Sequence, residues 1–208
     1  MKGSLIAVLF FAIGLTAGHC DYLPTWTTDS RISFAALCGL LLFVGIGIGL
    51  NPNIKNDIKS LSPRLALLPI ATILGSLLGA MTAYLAISSE VCPLLETRSI
   101  TDCMAINSGF AYYSLSSIFI TEYRGAELGT IALLANVIRE LITLLLTPLI
   151  AKRFGPLAPI SSGGATTMDT TLPIIIQTLG QRYTALSTYH GFLTDFSVPF
   201  LVTMWCML

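Results

Sequence analysis

The feature that most constrains this sequence is a series of apolar runs, several of them close to the roughly 20 residues that a helix needs to cross a bilayer. One of these runs, 183–208, is interrupted by His190, Asp195 and Pro199. Charged residues make up 11% of the 208-residue chain, whereas a soluble domain has about 25%, so the chain has too little polar surface to cover a soluble core. We expect an all-α polytopic membrane protein, residues 1–208 forming one transmembrane domain. Four uncharged runs are the clearest transmembrane helices: 4–18, 33–50, 65–87 and 129–150.

The composition also excludes several classes of function. The net charge is zero and there is no basic run, so the sequence predicts no nucleic-acid binding. The histidines and cysteines are scattered rather than grouped at metal-ligand spacing, and we expect no metal and no cofactor. An intramembrane serine protease would need a serine such as Ser108 paired with His190, and the local motif does not fit one. We therefore expect a protein that is not an enzyme.

The first 20 residues admit two interpretations. Lys2, the apolar core and the small residues that follow are typical of a cleaved signal peptide, and the run that ends at Cys20 resembles a lipoprotein box. His19 stands directly before that cysteine, where a lipoprotein box needs a small residue. We interpret the stretch as the first transmembrane helix, and a cleaved leader is the alternative.

Two further apolar segments, 104–121 and 158–177, are broken by Ser, Thr, Gly and Pro. If both re-enter the membrane without crossing it and the N-terminus lies inside, the sequence obeys the positive-inside rule. The cytoplasmic side then carries most of the basic residues: Lys2, Lys55, Lys59, Arg64, Lys152, Arg153 and Arg182. A full crossing by 104–121 would move Lys152 and Arg153 outside. We therefore expect five spans and two re-entrant hairpins that enter from opposite faces, with the C-terminus outside.

The two broken segments also resemble each other. Aligning Ile160 with Ile106, an offset of 54 residues, needs no gap and also lays the run 129–150 over 183–204. A unit repeated from opposite faces is an inverted-topology repeat, a transporter construction with its site near the bilayer midplane. Chance similarity over a short stretch is the alternative. The identical pairs are Ile106/Ile160, Ser108/Ser162, Gly109/Gly163, Ala111/Ala165 and Ile120/Ile174.

Glu140 lies in the middle of the run 129–150, where an ionised carboxylate costs about 3 kcal/mol. Asn136, Glu140, Thr143 and Thr147 follow helical spacing and form one polar stripe, which must face protein or water. We interpret Glu140 and Asn136 as part of a binding site for a cation or a proton. An internal ion pair between Glu140 and Arg139 is the alternative.

Asp169 lies within GGATTMDTTLP, where glycines free the backbone and Pro173 removes a hydrogen-bond donor. Irregular backbone at membrane depth is tolerated only against protein or a water-filled cavity. Free carbonyls beside a carboxylate would suit an ammonium group or a proton, and a plain hairpin cap is the alternative. The polar tips of the hairpins complete the candidate site, although their hydroxyls could instead be satisfied within the bundle: Ser108, Gly109 and Tyr112, and Ser162, Gly163 and Thr166.

Two other polar groups fall in the last apolar run. His190 shares a helix face with Thr194, and an intramembrane histidine can relay protons near neutral pH. A hydrogen-bonded packing histidine is the equal alternative. Asp195 lies off that face and is the weakest of the three acids.

Three of the five cysteines, Cys20, Cys92 and Cys103, fall on the external side in this topology. The segment between Cys92 and Cys103 is a short loop in an oxidising compartment, where a disulfide can form. Whether these two residues are bridged stays open.

Four stretches resemble the bacterial lysine-exporter family of the LysO type: SGFAYYSLSSIFITE, ANVIRELITLLLTPLIAKR, SSGGATTMDTTLPIIIQ and YHGFLTDFSVP. The resemblance covers the whole chain, and FVGIGIGLNPN matches the end of an earlier family helix. It implies a secondary transporter of the bacterial inner membrane that exports L-lysine and its toxic analogue thialysine in exchange for protons. It also implies that Glu140 and Asp169 are the functional intramembrane acids, and it assigns no role to Asp195.

Typical members of that family have three further helices ahead of the position that matches Leu5. The resemblance therefore implies a small three-helix membrane partner for this chain, and a homo-oligomer is the alternative. A subunit that transports nothing and scaffolds a partner transporter is the alternative function.

Overall fold

The computed structural model describes residues 63–87 and 99–208, together with eight single positions between residues 13 and 46. The chain forms two compact units, Met1–Pro52 and Asn53–Leu208. In the first unit the described positions are helical. The predicted spans 4–18 and 33–50 lie largely outside the described residues, and so does Cys92.

In the second unit the described residues are mostly helical and include no strand. At about 1.5 Å per residue, its three longest helices measure about 30, 44 and 36 Å, so each can cross a hydrocarbon core of about 30 Å. These three helices are α2, α5 and α8. In chain order the α-helices are α1 (Pro63–Ala66), α2 (Leu68–Ile87), α3 (Ile100–Asn107), α4 (Tyr113–Arg124), α5 (Ala126–Phe154), α6 (Ala158–Gly163), α7 (Leu172–Leu179) and α8 (Thr184–Met207).

The two broken segments of the sequence are interrupted helices in the structure. In the first, α3 and α4 are separated by residues 108–112, which we call the first break. In the second, a 3₁₀ segment, Gly164–Met168, follows α6 directly and leads to α7 through residues 169–171. We call 164–171 the second break. Re-entry from opposite faces of the membrane stays a prediction.

Local sequence signals explain where several helices begin and end. Ser99 caps α3 in a capping box, because its hydroxyl accepts from the helix backbone while the Asp102 carboxylate accepts from the Ser99 amide at 3.1 Å. Gly125 and Gly155 flank α5 at φ 91° and 89°, a conformation that glycine adopts without strain. Lys152 and Arg153 in the last turn of α5 complement its dipole.

The distribution of side chains is the reverse of that in a soluble protein. Along α5, Ile138, Leu145 and Leu149 are exposed, while Asn136 and Thr143 are buried. A soluble protein rarely exposes so extended an apolar surface, whereas a bilayer solvates one. Two of the three long described helices, α2 and α5, are also apolar enough by composition to cross a membrane. The fold is therefore consistent with a membrane protein. Large exposed apolar residues also cover α2 and α8: Ile70, Leu74, Leu78, Leu85, Phe192, Phe196 and Phe200.

Four small residues of α2 recur every four positions, a spacing that lets helices approach each other closely in lipid. Ala71, Gly75, Gly79 and Ala83 lie exposed on one face. No described atom lies within 4 Å of where a Cβ on Gly75 or Gly79 would stand.

Candidate functional site

The two breaks meet each other. The amide of Ala165 in the second break donates to the carbonyl oxygen of Phe110 in the first, at 2.9 Å. Both breaks turn through the left-handed region, because Phe110, Ala111 and Gly164 have φ of 44°, 71° and 58°. Such a conformation costs a residue other than glycine about 1–3 kcal/mol and persists only where surrounding contacts enforce it. The contact places irregular backbone from two separate segments side by side.

Asn136 of α5 supplies the contacts that hold the first break. Its Oδ1 accepts from the amide of Ala111 at 2.8 Å, and its Nδ2 donates to the carbonyl of Ile106 at 3.0 Å and to that of Ala132 at 2.9 Å. The residue is 3% exposed. Gly109 lies directly against it, and a Cβ there would collide with the Asn136 amide. Asn136 thus satisfies backbone groups that the break leaves without helical partners.

Arg139 of α5 holds the second broken segment at the point where α6 ends. Its Nε donates to the carbonyl of Ser162 at 3.0 Å, and its Nη2 donates to the carbonyl of Ser161 and to the hydroxyl of Ser76, each at 3.2 Å. A cation at the carbonyl end of a helix complements both its dipole and its unpaired carbonyls. The guanidinium also lies 5.7 Å from the centre of the Phe110 ring. Arg139 therefore bonds to α6 and not to Glu140, its neighbour in sequence.

His190 of α8 is fully buried between α2 and the second break. One ring nitrogen, Nε2, lies 2.9 Å from the Thr72 hydroxyl, and the other, Nδ1, lies 3.1 Å from the Thr167 hydroxyl. Thr167 in turn donates towards the carbonyls of Gly164 and Ser187, at 2.8 and 3.0 Å. Both ring nitrogens are thus hydrogen-bonded within the protein. The geometry matches the packing alternative, and the proton-relay interpretation stays a prediction.

Glu140 and Asp169 come together from different elements, α5 and the second break. The Asp169 Oδ1 accepts from the amide of Thr170 at 2.5 Å and lies 3.3 Å from its hydroxyl. The same hydroxyl also interacts with the Glu140 carboxylate, and the two carboxylates are close enough to repel each other. Asp169 and Thr170 are exposed and Glu140 is half-buried, so this pair can be reached by a solute. The two acids that the sequence singles out therefore form one cluster.

Asp195 joins the same cluster, although the sequence ranks it last. Its carboxylate interacts electrostatically with that of Asp169, and both lie near the phenol of Tyr112. Tyr113 is close to Glu140 and Asp169. A signal for Asp195 was present in the sequence, since any acid in an apolar run needs a partner or a function. Asp195 lies off the helix face that His190 occupies, and only the packing of α8 shows which residues Asp195 interacts with.

The remaining predicted residues of the hairpin tips hydrogen-bond within the protein. Ser108 donates to the carbonyl of Met104 at 2.7 Å, the Ser162 hydroxyl lies 2.7 Å from that of Thr143, and Thr166 donates to the carbonyl of Gly163 at 2.8 Å. These hydroxyls hold the breaks in shape, which matches the alternative stated from the sequence. Their participation in binding stays a prediction.

The arrangement suits a cation. Three carboxylates and two phenols interact with one another beside the breaks, and carboxylates are groups that stabilise an ammonium ion. Among the described residues, no group of three or more His, Cys, Asp or Glu side chains has the geometry to hold a metal ion.

Comparison with known proteins gives consistent results. A family model described as lysine exporter LysO matches residues 8–206. The chain is 32% identical over 197 residues to the lysine exporter LysO of Escherichia coli strain K12, a match that covers 95% of this chain and 60% of that protein. It is 32% identical over 166 residues to a putative lysine exporter of Haemophilus influenzae, covering 80% of each protein. The chain thus spans less than two thirds of the length of the Escherichia coli relative. No solved structure matches.

Proposed function

The chain belongs to the lysine exporter LysO family, and from this we propose that it exports L-lysine, and with it thialysine, across the bacterial inner membrane in exchange for protons. Membership in a family of exporters favours a transporter over an enzyme. The apolar surface of the described helices supports a location in the bilayer, because only lipid solvates such a surface at low cost.

The observation that carries this proposal is the convergence of Glu140 and Asp169 beside the two breaks. Lysine has two ammonium groups, so it presents positive charge at either end of its side chain. Two carboxylates in a site of low dielectric attract such a cation far more strongly than the same groups in water. We assign Glu140 and Asp169 to the binding of the substrate cation or of the coupling proton.

The substrate also carries a carboxylate, and the breaks offer groups for it. Helix α4 begins just after the first break and has no side-chain cap at its start. The first amides of a helix lack intrahelical partners and carry partial positive charge, so they favour an anion. Broken membrane helices in other transporters use their N-termini in this way. We therefore assign the α-carboxylate of lysine to the start of α4.

Transport by the purified chain in proteoliposomes tests the proposal. Vesicles loaded with labelled lysine should release it when an inwardly directed proton gradient is imposed, and a protonophore should stop that release. The measurement should be made on the chain alone and with any small membrane protein that co-purifies with it. Gradient-dependent release under either condition supports export. Binding of a partner transporter without any lysine flux of its own would favour the scaffold function instead.

A further inference from the structure

A buried acid on α8 has no role in the function proposed above. Asp195 is 9% exposed, and among the described residues its Oδ1 has no hydrogen-bond partner. Burial without a hydrogen bond to this oxygen disfavours the ionised form of a carboxylate. By contrast, Asp169 accepts from the Thr170 amide at 2.5 Å. Asp195 is therefore suited to exist in a neutral, protonated form for part of a cycle.

The packing of α8 brings this acid to the candidate site. Gly191 allows the close approach, because a Cβ there would collide with the Met168 amide and the Ala165 carbonyl of the second break. Asp195 lies one helical turn further along α8, where its carboxylate interacts with that of Asp169 and with the Tyr112 phenol. The acid is thus directed into the cluster and not towards lipid.

The other titratable groups on the packed elements have different partners. His190, on α8 itself, lies against Thr72 and Thr167. Asp102 of α3 pairs with Arg124 of α4 at 3.4 Å. Helices α6 and α7 contain no titratable residue, and α2 contributes Tyr84. On α4, Tyr113 interacts with Glu140 and Asp169, and Glu122 and Tyr123 are exposed. Asp195 interacts with Asp169 and Tyr112.

We propose that Asp195 is a third carboxylate of the lysine site and carries the proton that the substrate displaces, an inference that rests on the proposed export of lysine. The carboxylates of Asp169 and Asp195 interact electrostatically and repel each other when both are ionised, so in this scheme the pair holds one proton while no lysine is bound. When an ammonium group binds to Asp169, its positive charge favours the ionised form of Asp195, and the proton leaves Asp195 for water on the side from which lysine entered. Lysine leaves on the opposite side as a proton from that side returns to Asp195.

This scheme explains why the exchange is obligatory. The net charge of the site is the same with one lysine bound as with one proton bound, so neither form leaves an uncompensated charge in the membrane. A site that lost lysine without taking up a proton would hold two adjacent ionised carboxylates. That state is disfavoured. The empty site therefore takes up a proton before the exporter returns to the conformation that binds lysine.

Proton release on lysine binding tests the inference directly. Isothermal titration of the purified chain with L-lysine, in two buffers that differ in ionisation enthalpy, measures the protons released per lysine bound. The wild-type protein should release about one proton per lysine. Asp195→Asn should bind lysine and release almost none, because it lacks the titrating group at nearly constant volume. Ser187→Ala is the matched control: it removes another buried side-chain oxygen of α8 that has no partner in the described part of the chain, and it should behave as wild type.

Each outcome decides a different point. Absence of lysine binding by the wild-type protein, alone or with its co-purifying partner, would overturn the proposed function and this inference with it. Wild-type binding without proton release, or release that persists in Asp195→Asn, would overturn the role of Asp195 alone. Loss of lysine binding in a folded Asp195→Asn protein would make Asp195 a ligand and overturn its role as proton carrier. If Asp195→Asn does not fold, the smaller neutral variant Asp195→Ser takes its place under the same criteria.

Discussion

Four polar residues within the long helices differ in what they do, although each would be costly if left without a partner in a membrane. Asn136 and His190 satisfy backbone or hydroxyl groups of the breaks, and Arg139 satisfies the carbonyl end of α6. Glu140, one residue further along α5, instead joins the exposed cluster with Asp169. Adjacent helical residues point about 100° apart, so neighbours in sequence can serve different parts of the molecule.

The two acids of the cluster should be required for export. Glu140→Gln and Asp169→Asn each remove a negative charge at nearly constant volume, so both proteins should insert and fold. A hydrogen bond to a charged group is worth about 1.5–3 kcal/mol, so lysine efflux should fall at least about tenfold. Efflux of labelled lysine from an export-deficient strain measures the effect. Glu122→Gln, which removes an exposed carboxylate of α4, is the control, and efflux at the wild-type rate in either site variant would contradict the assignment.

Arg139 should contribute to stability through its bonds to α6. The Arg139→Gln variant lacks the positive charge and the planar guanidinium that bonds to both carbonyls. The Arg139→Lys variant keeps the charge but lacks the planar group. We expect the midpoint of thermal unfolding in detergent to fall in both variants, with a loss of about 1.5–3 kcal/mol for the neutral one. The control is Arg153→Gln at the exposed end of the same helix, which should lower the midpoint much less, because an exposed cation near a helix C-terminus contributes only about 0.3–1 kcal/mol. An unchanged midpoint in Arg139→Gln would mean that α6 does not depend on this cation.

At the scale of elements, the repeat predicted from the sequence can be compared with the structure. The offset of 54 residues pairs Phe110 with Gly164, both in the left-handed region, and pairs Asn136 with His190, each of which binds the nearby break. The sequence identities do not include these pairs, since the paired residues differ in type. The repeat and its inverted orientation in the membrane both stay predictions.

The contact between the breaks should not tolerate a side chain on the second one. Gly164→Ala would strain the backbone at φ 58° and would drive its Cβ into the Phe110 carbonyl. Gly155→Ala is a matched control, because Gly155 has φ 89° with open space around it and so meets the backbone penalty alone. We expect a clearly larger fall in unfolding temperature for Gly164→Ala, since overpacking adds about 1–3 kcal/mol. Equal effects would show that the breaks separate easily.

The orientation of α5 tests the predicted topology. A cysteine introduced at Glu127 should react with a membrane-impermeant thiol reagent from outside intact cells, and one at Lys152 should react only after permeabilisation. The physical reason is the positive-inside rule, which places Lys152 and Arg153 in the cytoplasm. Labelling in the reverse pattern would mean that the segment 104–121 crosses the membrane and that the repeat is not inverted.

At the scale of the whole molecule, the resemblance inferred from four motifs is confirmed by the family match over residues 8–206. The match to the Escherichia coli relative covers 60% of that protein, and the small three-helix membrane partner remains a prediction. Helices associate in lipid through faces of small residues, and the described residues leave such a face open on α2, at Ala71, Gly75, Gly79 and Ala83.

We predict that a membrane protein of about three spans co-purifies with this chain in mild detergent, and that neither one alone confers thialysine resistance on an export-deficient strain. Expression of both together should restore resistance. The control is co-expression of the partner with the Glu140→Gln variant of this chain. The two proteins should assemble, but they should confer no thialysine resistance. Full resistance from this chain alone would remove the need for a partner and favour a homo-oligomer.

The sequence by itself determined the class of protein, the positions of the described helices and the segments in which they break. These properties are local: apolar length decides whether a helix suits the bilayer, and Gly, Ser and Pro decide where it is interrupted. The helix predicted at 129–150 extends to Ala126–Phe154, and its polar stripe faces inward at Asn136, Thr143 and Thr147. The insertion cost of acids also identified Glu140 and Asp169 before any contact was known.

Only the tertiary structure decided which partner each polar residue has. His190 meets Thr72, 118 residues away in the chain, and Asp195 meets Asp169 because Gly191 lets α8 approach the second break. Periodicity identifies the face on which a side chain lies, but the neighbour on that face depends on how separate helices pack, and no local signal encodes that packing. For this reason Arg139 pairs with carbonyls rather than with Glu140, and the acid that the sequence ranked last lies within the cluster.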